Sequence, residues 1–131
     1  MKNHTIIFVC EHGAAKSILA AAYYNKLATE KGLSIRAIAR GTNPDAELSS
    51  KTMEGLQQDG LIPTESSPQK LTPADMEAAH QIVSFCELPD EFRNIVSIKQ
   101  WNDVPPVSED YEKARDVIVM HIHTLFKDML K

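Results

Sequence analysis

A chain of 131 residues with 43% apolar content is long enough for one compact domain around a sizeable core, spanning 1–131 without a long linker. Its 14 basic and 18 acidic residues leave a net charge of −4 with no long basic block, which argues against nucleic acid or an anionic membrane surface as a partner. There is no apolar run of the length a membrane span needs and no signal-peptide core after Met1-Lys2-Asn3-His4. A cytoplasmic protein is therefore expected, and two cysteines, Cys10 and Cys86, are too few for a disulfide scaffold.

Ile6-Ile7-Phe8-Val9 predicts a strand buried on both faces, ending at Cys10 and running through Glu11-His12-Gly13-Ala14-Ala15-Lys16-Ser17 into a helix start. Ser17 is expected to open that helix, which continues to Lys31 on the spacing of Leu19, Tyr23 and Leu27 and stops at Gly32. A second strand is expected over Ser34 to Ala39. Asn43-Pro44-Asp45 combines a capping residue, a first-turn proline and an early acid, so a helix is predicted from there to Gln58.

After a Ser/Pro loop, Thr72-Pro73-Ala74-Asp75 repeats the capping logic for a short helix reaching Ala79. Gln81 to Cys86 and Ile95 to Ile98 read as strands. Ser108 to Leu130 reads as a helix with one apolar stripe of Tyr111, Ala114, Ile118, Ile122, Leu125 and Met129. The alternation predicts a single-domain α/β fold, a four-stranded parallel sheet with helices on both faces. Ligands of such sheets favour the crevice beyond the carboxyl ends of the strands, where Cys10 falls.

The chemistry concentrates in that first turn. Small residues let backbone approach a ligand, successive amides and a helix N-terminus hold an anion, and the same positive end favours thiolate over thiol. His12 either tunes the thiolate or is a solvated loop residue. Cys86 reads as the end of a core strand. His121 and His123, two residues apart on a helix, point in different directions, so no metal site is expected.

Cys10 to Ser17 resembles the C-x5-R-S loop of the low-molecular-weight protein tyrosine phosphatases and of the thioredoxin-coupled arsenate reductases that share their fold, with Lys16 in place of the arginine. The resemblance continues through Gly41-Thr42-Asn43-Pro44, Gly60-Leu61, Leu71-Thr72, the strand ending at Cys86, Trp101, and Tyr111 to Ile118. It implies a Cys10 nucleophile that forms a phosphocysteine later hydrolysed by water, a Ser17 hydroxyl bonded to the thiolate, an oxyanion-binding loop of Glu11, His12, Gly13, Ala14 and Ala15, and Trp101 as a cleft wall. It implies no cofactor. Its ligands would be phosphate, sulfate or a phosphorylated small molecule or protein, and it leaves the oligomeric state open.

Four positions depart from the pattern. Lys16 replaces a planar fork by a point charge. The general acid of the family is an aspartate before a proline, whereas Trp101-Asn102-Asp103-Val104-Pro105-Pro106 offers Asp103 only after a shift of two residues. Glu11 opposes the charge of Lys16, and Gly13 stands where the family often has a bracing asparagine. The expected activity is thus hydrolysis of a phosphotyrosine-like monoester at reduced efficiency. One alternative is a noncatalytic oxyanion or phosphoprotein binder. A weaker one is thiol redox chemistry or arsenate reduction using Cys10 and Cys86, for which the resemblance supplies a second cysteine at the corresponding strand end but the chain supplies no third.

Overall fold

Strand β1, Thr5–Cys10, runs through the middle of the molecule and is buried from Ile6 onward. Side chains alternate across a strand, so Ile6, Phe8 and Cys10 enter one apolar cluster while Ile7 and Val9 enter another on the opposite face. The computed structural model describes residues 5–93 and 98–129. Among these, four parallel strands form one sheet in the order β2-β1-β3-β4, with β2 at Arg36–Gly41, β3 at Ala79–Ser84 and β4 at Ile98–Gln100.

Helices α1, Lys16–Glu30, and α5, Tyr111–Met129, cover the Cys10 face, and α2, Ser50–Gln58, packs against both. Helix α3, Pro73–Ala78, and the single turn α4, Asp90–Arg93, bring Met76 and Phe92 to the other face. The two clusters are the two cores of a doubly covered parallel sheet. The stripe predicted for the last helix is the buried face of α5, with Phe126 added and Met129 packed at its edge. Asn25 of α1 clips onto β2, donating to the Ala37 carbonyl at 3.1 Å and accepting from the Ala37 N–H at 2.8 Å.

Several boundaries differ from expectation for identifiable reasons. The second helix begins at Ser50, with Ser49 accepting from the Thr52 N–H as its cap, and not at Asn43. The Ser49 N–H, which a helix from Asn43 would give to the Asp45 carbonyl, goes instead to the Ala14 carbonyl, and the Thr42, Asn43 and Asp45 amides bond the carbonyls of Cys10, Glu11 and His12, so the segment is held along the turn after β1. Ser17 does not open α1; the helix starts at Lys16 after an Ala15 that makes no side-chain cap. Strand β2 extends to Gly41, two residues past the expected Ala39.

Strand β3 ends at Ser84, because the buried Ser84 hydroxyl bonds both the Cys86 N–H (3.2 Å) and the Cys86 carbonyl (2.5 Å) and turns the chain off the sheet. The Thr72 capping box forms as expected. Helix α4 was not expected, since one turn carries no periodicity. Asp110 caps α5 through the Lys113 N–H at 3.0 Å, so that helix starts three residues after Ser108. The expected strand Ile95 to Ile98 is seen only at Ile98, as residues 95–97 lie outside the described residues, as does Leu130.

The junction of α1, α2 and α5 is a polar node. Tyr23 and Tyr111 both donate to Asp59 Oδ2, at 2.5 and 2.9 Å, and Arg115 lies 3.5 Å from Oδ1. The Tyr111 ring lies so close to Gly55 that a Cβ there would come within 2.2 Å of it. Burial works against the charge of Asp59, but the two hydroxyls and Arg115 outweigh it and hold the carboxyl below its ordinary range; burial and then Asp59 push both tyrosines up. A carboxylate with a depressed folded-state pKa contributes stability above its unfolded value and loses it as pH falls through the folded one. Asp59→Ala should cost about 2–4 kcal/mol at neutral pH by stranding two hydroxyls, and its deficit in urea denaturation should shrink below about pH 4.

Candidate active site

With strand order 2-1-3-4, the chain leaves β1 toward one edge and returns to the other side of β1 for β3, so the switch point lies between the ends of β1 and β3. A cavity of about 280 Å³ opens there. Its lining includes Cys10, Glu11, His12 and Lys16 from the first turn, Cys86 from beyond β3, and Val107 from the segment before α5. Cys10 is 8% exposed at the base, and its Sγ is 3.0 Å from the Oγ of the fully buried Ser17. Ser17 is thus a helix residue whose hydroxyl faces back onto the sulfur.

The shape of the loop follows from where its carbonyls go. Those of Cys10, Glu11, His12 and Ala14 accept from the amides of Thr42 (3.2 Å), Asn43 (2.7 Å), Asp45 (2.9 Å) and Ser49 (2.9 Å). In a trans peptide the N–H points opposite to the C=O, so this anchoring turns the amides of Glu11, His12, Gly13 and Ala15 away from the 42–49 segment. Gly13 has φ of +62° and lies against Gly41, where an added Cβ would come 2.7 Å from the Gly13 nitrogen. Both positions need glycine, one for its backbone and one for the approach. The first amides of α1 have no intrahelical acceptor, and its first turn contains no acid.

The other expected residues are distributed unevenly. Lys16 lines the cavity and has no ion-pair partner among the described residues; Glu11 approaches His12 (4.0 Å to Nε2) and not Lys16. Ala14 and Gly13 are buried behind the loop. Asp103 does not line the cavity: its Oδ1 is 2.8 Å from His121 Nε2, and this hydrogen bond holds its carboxyl below the ordinary range. Trp101 does not line it either. The indole is buried against Phe8 and Phe85 and stacked on His121 at 4.8 Å, and Phe85 is the aromatic that reaches the cavity.

Cys86 shares the cavity with Cys10, and burial first, then the charge of Cys10, pushes its thiol up despite the Ser84 hydroxyl. Asp45, 3.0 Å from His12 Nδ1, and Ser49, Pro106, Val107 and Ser108 were not anticipated at the site. Asp45 carried a signal, an acid after a proline, but that signal pointed to a helix end.

The family model described as low molecular weight phosphotyrosine protein phosphatase matches residues 5–123. The chain belongs to that family. No curated protein matches it by sequence. Among solved structures, it is similar to the YwlE arginine phosphatase of Bacillus subtilis, in a variant with a phosphorylated active-site serine, at 19% identity and a TM-score of 0.85 over 97% of this chain and 96% of that one. A low molecular weight phosphotyrosine phosphatase from Vibrio cholerae gives 19% and 0.78, covering 97% of both chains. An arsenate reductase from Archaeoglobus fulgidus gives 22% and 0.67 over 95% of this chain and 97% of that one. At these identities the likeness establishes the fold.

The Gly13–Gly41 contact leaves no room for a methyl between two backbones. Gly41→Ala should lower stability by about 1–3 kcal/mol, measured by chemical denaturation, and should shift the amide resonances of residues 11–16 more than those of α5.

Proposed function

We propose that this phosphatase-family protein hydrolyses a phosphomonoester through a phosphocysteine on Cys10. The observation that carries the reading is a thiol at the base of a cavity, within hydrogen-bond distance of a buried hydroxyl and ringed by a loop that has the carbonyls of Cys10, Glu11, His12 and Ala14 drawn to the far side. Amides so turned favour the equatorial oxygens of a phosphoryl group, the open end of α1 adds its dipole, and the sulfur below is aligned for in-line attack. Lys16 adds a cation at the edge. It offers a point charge where a guanidinium would bind two oxygens at once, a difference worth about 1.5–3 kcal/mol, or roughly 10- to 100-fold.

A second reading, a noncatalytic oxyanion binder, is favoured by Asp103 being held at His121 outside the cavity. It keeps the same cradle and removes only turnover. A disulfide between Cys10 and Cys86 has the weaker support of two thiols lining one cavity.

Hydrolysis of para-nitrophenyl phosphate separates the first two readings. Wild type should turn it over and Cys10→Ser should not. Equal background rates in both, with saturable phosphate binding by calorimetry, would establish the binder instead. Lys16→Arg should raise kcat/KM by about 10-fold or more if the missing fork limits catalysis.

A further inference from the structure

Resting on the phosphatase reading, the geometry points to His12, oriented by Asp45, as the group that protonates the leaving oxygen. In-line displacement places that oxygen on the side of phosphorus opposite the sulfur. Cys10 is at the cavity base, 8% exposed, so the leaving oxygen faces the mouth, where the His12 side chain is 58% exposed. The segment expected to bring an acid contributes only Pro106, Val107 and Ser108 to the lining, and Asp103 is occupied by His121.

The pairing with Asp45 is built into the backbone. The Asp45 N–H donates to the His12 carbonyl at 2.9 Å while Asp45 Oδ1 is 3.0 Å from His12 Nδ1, so two contacts join the same two residues. A carboxylate only accepts, which assigns the proton to Nδ1 and leaves Nε2 as the working nitrogen. Imidazole is the side-chain class that exchanges a proton near neutral pH. Asp45 acts through His12 and is a positioning residue.

The step balances with water as the only co-reactant. The Cys10 thiolate forms the S–P bond, the P–O bond to the leaving group breaks with its electron pair on oxygen, and the Nε2 proton of the imidazolium passes to that oxygen. In the second half, neutral Nε2 takes a proton from the attacking water, the new P–O bond forms, and the S–P bond breaks to return the thiolate and release inorganic phosphate.

Leaving-group dependence tests this directly. Phenyl phosphate needs the proton far more than para-nitrophenyl phosphate does, so His12→Asn should lose about 100-fold or more in kcat/KM, which reports the first half-reaction alone, on the phenyl ester and much less on the nitrophenyl ester, whose retained first-turnover burst of nitrophenolate also reports a folded site. The wild-type kcat/KM on phenyl phosphate should fall as pH rises through the titration of the acid, and this limb should vanish in His12→Asn and move in Asp45→Asn. The titratable groups around His12 are Glu11 and Cys10 on its own loop and Asp45 after β2, with Lys16 of α1 and Cys86 beyond β3 lining the same cavity. Equal losses of kcat/KM on both esters, or selective loss in Asp103→Asn or Glu11→Gln but not in His12→Asn, would overturn the assignment. Absence of any Cys10-dependent turnover would remove the phosphatase reading itself, a result distinct from turnover indifferent to His12.

Discussion

The site depends on one set of backbone hydrogen bonds, those that tie the carbonyls of Cys10, Glu11, His12 and Ala14 to the amides of the 42–49 segment. A loop of small residues has little side-chain packing to fix its shape, and each peptide is free to flip unless its carbonyl is claimed. Here four carbonyls are claimed from the same side. The amides therefore face the other way without any side chain being asked to orient them, and the close Gly13–Gly41 approach is what lets the two strands of backbone reach hydrogen-bonding distance.

That arrangement exists because of the sheet. β1 and β2 pair in parallel with Cys10 opposite Gly41, so their exit loops leave side by side and can bond to each other. The reversal of direction between β2 and β3 opens the crevice next to them. Burial of β1 in two cores makes Cys10 the end of a rigid element, and Ser17, fully buried as the second residue of α1, fixes the sulfur from the helix side. The polar node of Asp59, Tyr23 and Tyr111 ties the start of α5 to α1 and α2, which positions the segment bearing Pro106 to Ser108 over the opening.

The parallel sheet, the helices on both faces and the place of Cys10 were legible because they rest on local signals: an apolar run, a 3.6-residue stripe in α5, and the Thr72 capping box. The helix expected from Asn43 shows where such signals fail. Asn-Pro-Asp has the chemistry of a helix start, but long-range bonds hold the 42–49 segment, the Ser49 amide included, against the turn after β1, and no local pattern records a partner some 30 residues away in sequence. Asp103 and Trp101 were misplaced for the same kind of reason. Their destination is set by His121 on α5, whose ring stacks on one and bonds the other, and His121 read in isolation had no assigned contact. Asp45 escaped because its contact with His12 is tertiary.

The central claim is that the loop amides, with Cys10 beneath them, form an oxyanion cradle. Titration of the nitrogen-15-labelled protein with inorganic phosphate, followed by amide NMR, tests it most directly. The account predicts saturable shifts at the amides of Glu11, His12, Gly13, Ala15, Lys16 and Ser17. Saturable shifts confined to other parts of the chain, or none at all at millimolar phosphate, would contradict it.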